Sequence, residues 1–205
     1  ARARGLRTPD WCHFRTTDRV SGLPLDYPLF VKPTSEGSSM GIRRSSVVHT
    51  DKELRQSAAW VVDNYSQGCL VEEFLPGREF CAGFLGNEDL QELPVVELRT
   101  GEDFYPYEDK SRHRKDLQCP ADISGELRDR IVEMGRRAYR LFRCRDFGRV
   151  DIKLDEDGEP NFIEINPLPG LSPEYSIFTR QARAAGLNFE QTIGRIMDAA
   201  LDRYG

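Results

Sequence analysis

Apolar residues recur along this chain with two periods, and the switches between them divide it into elements. Alternation is sharpest late, in Gly148-Arg149-Val150-Asp151-Ile152-Lys153-Leu154 and again in Asn161-Phe162-Ile163-Glu164-Ile165-Asn166. Both arms have the period of a half-buried strand. Between them Glu156-Asp157-Gly158-Glu159 predicts a tight hairpin turn centred on Asp157-Gly158. Arg149, Asp151 and Lys153 then share one face of the first arm, and Phe162, Glu164 and Asn166 one face of the second. Symmetric closure sets Asp151 opposite Glu164 and Arg149 opposite Asn166. Opposed residues lie roughly 4.5–5.5 Å apart at Cβ, where two carboxylates repel each other. Such a pair is kept if something positive sits between them. Oxygen ligands of this kind suit Mg²⁺, which completes its shell with water and substrate phosphates.

The same reading places shorter strands at Tyr27–Pro33, Cys69–Leu75, Glu79–Phe84 and Pro94–Leu98. Helical spacing predicts a helix over Asp51–Tyr65, with Thr50 as N-cap and Glu53 at the capping-box position. A longer helix begins after Ser124 and carries Leu127, Ile131, Met134, Ala138, Leu141 and Phe142 on its apolar side. Two helices close the chain. The last bears Phe189, Ile193, Ile196, Met197, Ala200 and Leu201, read as a core-facing stripe, with a partner interface as the alternative. Residues 1–28 read as a connecting segment, and residues 100–122 as a long polar loop. Strand groups interleaved with helices predict an α+β or α/β architecture.

The 205 residues suffice for one large or two small domains. Twenty-nine basic and 34 acidic residues give a formal charge of −5 with the signs mixed, which argues against a broad nucleic-acid surface. Five scattered cysteines without a C-x-x-C pair, and three isolated histidines, leave no zinc pattern and point to reduced thiols in a cytoplasmic protein. No apolar run approaches the roughly 18 residues of a membrane span.

Candidate chemistry lies in four places. The loop Thr34-Ser35-Glu36-Gly37-Ser38-Ser39-Met40-Gly41 has the small residues and donors needed to wrap a phosphate, with Lys32 leading into it. A plain flexible turn fits as well, since it is neither a Walker A loop nor a dinucleotide fingerprint. Glu72-Glu73-Phe74-Leu75 with Glu79 is open to two readings, an edge strand with solvated acids or an adenine and ribose slot. Lys110 lies in the polar loop, where solvated lysines are common. Arg149 is either a salt-bridge partner or a preorganised charge for an oxyanion.

In their order these segments resemble the ATP-grasp superfamily, and within it the D-alanine–D-alanine ligases. The matching pieces are Phe30-Val31-Lys32-Pro33, the loop to Gly41, Val71 to Phe80, the Tyr107–Lys110 stretch, Gly148-Arg149-Val150-Asp151, and Glu164-Ile165-Asn166-Pro167-Leu168-Pro169-Gly170. The resemblance implies an α+β ATP-grasp fold, with two subdomains, residues 1–78 and 79–205, clamping a nucleotide between antiparallel sheets. It implies an ATP-dependent carboxylate–amine ligase working through an acyl phosphate, with a non-catalytic ATP-binding module as the alternative. Lys32 and Lys110 would hold the ATP phosphates, with Ser38 and Ser39 closing over the last of them. Glu72, Glu73, Phe74 and Leu75 would take adenine, and Glu79 the ribose. Asp151, Glu164 and Asn166 would bind two Mg²⁺ (Mn²⁺ being an alternative), and Arg149 would stabilise the tetrahedral intermediate. Gly170, Tyr175 and Ser176 fall at the second amino-acid substrate. The expected partners are small amino acids and ATP, with no nucleic acid and no membrane. A missing N-terminal domain or partner chain, and a homodimer, are further implications. Two departures bear on the substrate: Ser111 stands where the family's loop carries an aromatic residue, and Tyr175 stands where its serine falls.

Overall fold

A computed structural model describes residues 1–17, 20–37, 39–99 and 117–204. The described chain forms two compact units. The smaller comprises Pro9–Pro76, and the larger comprises Ala1–Thr8, Gly77–Arg99 and residues 117–204. The change of unit therefore falls between Pro76 and Gly77, and the first eight residues join the larger unit.

In the smaller unit, β1 (Trp11–Phe14), β2 (Leu29–Pro33), β3 (Val47–Val48) and β4 (Cys69–Glu73) make a four-stranded sheet in the order β1-β4-β2-β3. All three pairings are antiparallel. Helix α1 (Asp51–Tyr65) covers one face, burying Leu54, Ala58 and Val61 against Leu29, Val31, Val48, Cys69 and Val71. Its start follows the capping rule only in part. The Thr50 side chain accepts from the Glu53 amide at 3.3 Å, but the Glu53 carboxylate accepts from His49 at 2.8 Å rather than from Thr50. Residues 1–28 are more than a connector. They supply β1 and the buried side chains Leu6 and Val20. Strand β1 is four residues long and on a sheet edge, and none of its residues is buried.

The larger unit holds β5 (Glu79–Leu85), β6 (Gln91–Glu92), β7 (Val96–Leu98), β8 (Leu117–Gln118), β9 (Phe147–Leu154) and β10 (Pro160–Asn166). The sheet runs β10-β9-β5-β7-β8, with β6 on β5. Helix α2 (Gly125–Leu141), capped by the Ser124 hydroxyl, packs Ile131, Ala138 and Tyr139 over Phe80, Ala82, Phe84, Val150 and Ile152. The opposite face is divided. Helix α3 (Ile177–Ala184) covers its Leu85–Phe147 end with Phe178 and Ala182. The other end carries charged side chains.

Helix α4 (Phe189–Leu201) corrects the expected stripe. Thr192 and Ala199 are buried and Ile196 packs on the α3 core, while Phe189, Met197 and Leu201 are exposed. The helix is rotated so that small residues approach the core. No described helix is long and apolar enough to cross a membrane.

Candidate functional site

The late hairpin forms where alternation placed it, by a different route. Asp155 makes the turn: Gly158 N–H donates to its carbonyl at 3.1 Å, and its carboxylate takes the Glu159 amide at 2.9 Å. Gly158 has φ 77°, a left-handed conformation that glycine adopts without steric cost. This is a type I turn closed by a glycine bulge, so Asp157-Gly158 is not a symmetric centre. It pairs Phe162 with Ile152 and Asn161 with Lys153, one residue out of the symmetric register. A second irregularity between Phe162 and Glu164 restores the offset, giving Glu164 opposite Asp151 and Asn166 opposite Arg149. Phe162 consequently joins the hydrophobic core instead of sharing the Glu164 face.

Strand β5 completes the charged surface, with Glu79 opposite Lys153 and Cys81 opposite Asp151. Arg149 donates to both oxygens of Asp151, each at 2.7 Å. The Asn166 amide donates to Asp151 Oδ2 at 3.1 Å and to Glu164 Oε1 at 3.0 Å. Burial works against ionising Asp151, yet the charge and bonds of Arg149 outweigh it and hold the carboxyl below its usual range. Glu164 is pushed up, first by burial and then by Asp151. Glu79 is also pushed up by burial, which Lys153 opposes and Asp151 and Glu164 reinforce. The Cys81 thiol is raised by burial and then by Asp151, so it stays protonated.

The donor set fits a hard cation. Two carboxylates converge, their repulsion is only partly met by Arg149 and the Asn166 N–H groups, and a turn of the Asn166 amide would add its oxygen as a third ligand. Among the described residues no group of three or more His, Cys, Asp or Glu side chains is placed to hold a metal. Two carboxylates and one amide would therefore need phosphate or water oxygens to fill the shell.

In the smaller unit Lys32 Nζ lies 2.6 Å from Glu72 Oε2. Lys32 opposes Leu70 and Glu72 opposes Phe30, so the two meet diagonally across β2 and β4. Glu73 is tied down instead. Its amide donates to Asp10 at 2.9 Å, and its carboxylate accepts from the Asp10 amide at 3.2 Å. The Phe74 amide donates to Pro28 at 3.1 Å, so two N–H groups of the expected adenine slot are engaged, while the Leu75 side chain is buried. The small-residue loop is fastened as well. The Thr34 hydroxyl donates to Gly68 at 2.8 Å, and the Ser35 amide to Gln67 at 2.6 Å. Ser39 and Gly41 both adopt positive φ, and a Cβ on Gly41 would meet the Pro33 ring at 2.4 Å. Ser38, Lys110 and Ser111 lie outside the described residues.

At the far end of the hairpin, the Ser176 hydroxyl donates to the Gly170 carbonyl instead of capping α3, and Tyr175 is exposed. Sequence reasoning gave no role to Lys153 or Cys81, although the shared face of Arg149, Asp151 and Lys153 was the signal for the first.

The two sheet units and the charged hairpin are those of an ATP-grasp fold. The chain belongs to the D-ala D-ala ligase C-terminus family, whose model matches residues 1–198. An uncharacterized protein of Sinorhizobium fredii is 35% identical, over 99% of this chain and 60% of its own length. The D-alanine–D-alanine ligase of Desulfotalea psychrophila is 36% identical, over 87% of this chain and 55% of that protein. The crystal structure of the VanG D-Ala:D-Ser ligase from Enterococcus faecalis matches with a TM-score of 0.80 at 28% identity, over 97% of this chain and 58% of that one. The chain thus spans little more than half the length of the relatives it matches.

Proposed function

We propose that this chain carries the nucleotide- and metal-handling part of an ATP-dependent ligase that joins two amino acids. The observation that supports this most is the hairpin, where Arg149 is locked on Asp151 and Asn166 bridges Asp151 and Glu164. Asp151, Glu164 and Asn166 would hold Mg²⁺. Bound there, the ion would neutralise charge on a transferred phosphoryl group. The chain's own residues have separable tasks. Lys32, with Lys110, provides point charges for phosphate oxygens, and Ser38 and Ser39 with loop amides donate to the terminal phosphate. Glu72 and Leu75 read the base, while Glu73 and Phe74 fix the strand end that presents them. Glu79 binds ribose hydroxyls.

The first substrate's carboxylate would become an acyl phosphate, which the amine of the second then attacks. Arg149 would stabilise the oxyanion of that attack. Ser176 beside Gly170 and Tyr175 would receive the second substrate, and D-alanine or D-serine are the first acceptors to try. Homodimer formation and completion by a further domain or chain belong to the same reading.

The test is ADP release by the chain with Mg²⁺, ATP and D-amino acids supplied singly and in pairs. Release that requires both Mg²⁺ and amino acid supports the ligase. Tight Mg·ATP binding with no ADP from any amino acid would favour the alternative, a non-catalytic ATP-binding module.

A further inference from the structure

The outer face of the smaller sheet, away from α1, presents Trp11, Glu72 and Phe30 as Cα partners in one row across β1, β4 and β2. The next row of that face holds His13, Leu70 and Lys32. Trp11 is 53% exposed, whereas Glu72 is 9% exposed. Glu72 thus lies between two aromatic residues, with its carboxylate turned to the Lys32 ammonium at 2.6 Å. The cation expected to meet phosphate is already neutralised, and by a residue expected to read the base.

We propose that Glu72 is a counter-ion gate on Lys32, which makes capture of phosphate depend on the presence of a base. This rests on the nucleotide reading above and assigns Glu72 a second role within it. A charge-assisted bond must be given up before Lys32 can bind a phosphate oxygen. A bare polyphosphate offers Glu72 nothing in return and leaves its carboxylate without its partner. A nucleotide whose base carries an exocyclic amine supplies a new donor to that carboxylate, and its ring can rest against the flanking aromatics. The exchange then replaces one ion pair by two satisfied contacts. Guanine presents a carbonyl where adenine presents the amine, so it meets the carboxylate acceptor to acceptor. The gate therefore selects both for a base and for adenine over guanine.

The test is calorimetric titration of the chain, in Mg²⁺, with inorganic tripolyphosphate, ATP and GTP. Glu72→Gln keeps the shape and removes the charge, and Glu72→Met removes the amide as well. Both variants should bind tripolyphosphate at least about tenfold more tightly than the unaltered chain, the scale of one charge-assisted bond. That gain should vanish when Lys32→Met is added. The preference for ATP over GTP should narrow in Glu72→Gln, whose amide can donate to the guanine carbonyl. Unchanged or weaker tripolyphosphate binding in both variants would overturn the gate, as would a gain that survives Lys32→Met. If the unaltered chain binds no ATP while the variants gain affinity for tripolyphosphate, the nucleotide reading falls and the base-dependent gate with it, leaving only the hold of Glu72 on Lys32.

Discussion

Two charged faces of this molecule, equally buried, solve the same problem with different numbers of partners. On the smaller sheet a single pair, Lys32 and Glu72, spans a diagonal between two strands. On the larger sheet, residues of three strands converge, with Arg149 gripping both oxygens of Asp151 and Asn166 bridging to Glu164. The first can be opened by breaking one bond. The second holds more carboxylate than its own cations satisfy, and Glu79 and Glu164 are pushed up first by burial and then by their acidic neighbours. A face of that kind is less stable alone than when a cation completes it. On the proposals above, the smaller sheet would exchange partners, whereas the larger one would take up a cation.

The largest effect expected on this contrast is chemical. Glu164→Gln should lower Mg-dependent ADP release at least about a hundredfold, as loss of a preorganised charge contact does. Unaltered release would remove Glu164 from the metal set. The same variant should be more stable than the unaltered chain at neutral pH. Burial raises the folded-state pKa of Glu164, so ionising it opposes folding. Its unfavourable contribution grows as pH rises from the ordinary carboxylate range through the raised value. Denaturant midpoints of the two proteins should therefore converge in acid and separate toward neutrality; the reverse trend would contradict the assigned direction.

Next in size is Arg149→Met, which strands a buried carboxylate and should cost about 3–5 kcal/mol in urea unfolding. Lys32→Met breaks a single ion pair between the two central strands of its sheet and should cost less, about 1.5 kcal/mol. Equal losses in the two variants would erase the distinction between the faces. The smallest effect is expected on α4, where Met197→Gln changes an exposed side chain and should shift stability by no more than about 0.5 kcal/mol. A loss of several kcal/mol would return that residue to the core.

Alternation made the charged face legible, because Arg149, Asp151 and Lys153 can share a side only if the segment is a strand. The opposition of Asp151 and Glu164 was also readable, but the path to it was not. A type I turn with Gly158 in the left-handed region shifts the register by one, and the irregularity near Ile163 shifts it back. Two cancelling offsets leave no trace in a pattern of period two, apart from Phe162 changing sides. Strand β1 escaped for a related reason: Trp11-Cys12-His13-Phe14 is an edge strand whose side chains are only partly covered. On α4 the apolar residues Phe189, Met197 and Leu201 suggested the buried face, while packing chose Thr192 and Ala199. Composition identified the donors of the phosphate loop but not their employment. Thr34 and Ser35 are bound to Gly68 and Gln67, partners more than thirty residues away.

The central claim, a metal–nucleotide site on the β9–β10 hairpin, is tested most directly by thermal unfolding of the chain with a non-hydrolysable ATP analogue. The measurement is made with and without Mg²⁺, and repeated on Asp151→Asn. A ligand that binds only the folded state adds about 2.7 kcal/mol at a hundredfold excess over its dissociation constant. The account predicts a clear rise that requires Mg²⁺ and disappears in Asp151→Asn. A rise of equal size without Mg²⁺, or one that survives in the variant, would contradict it.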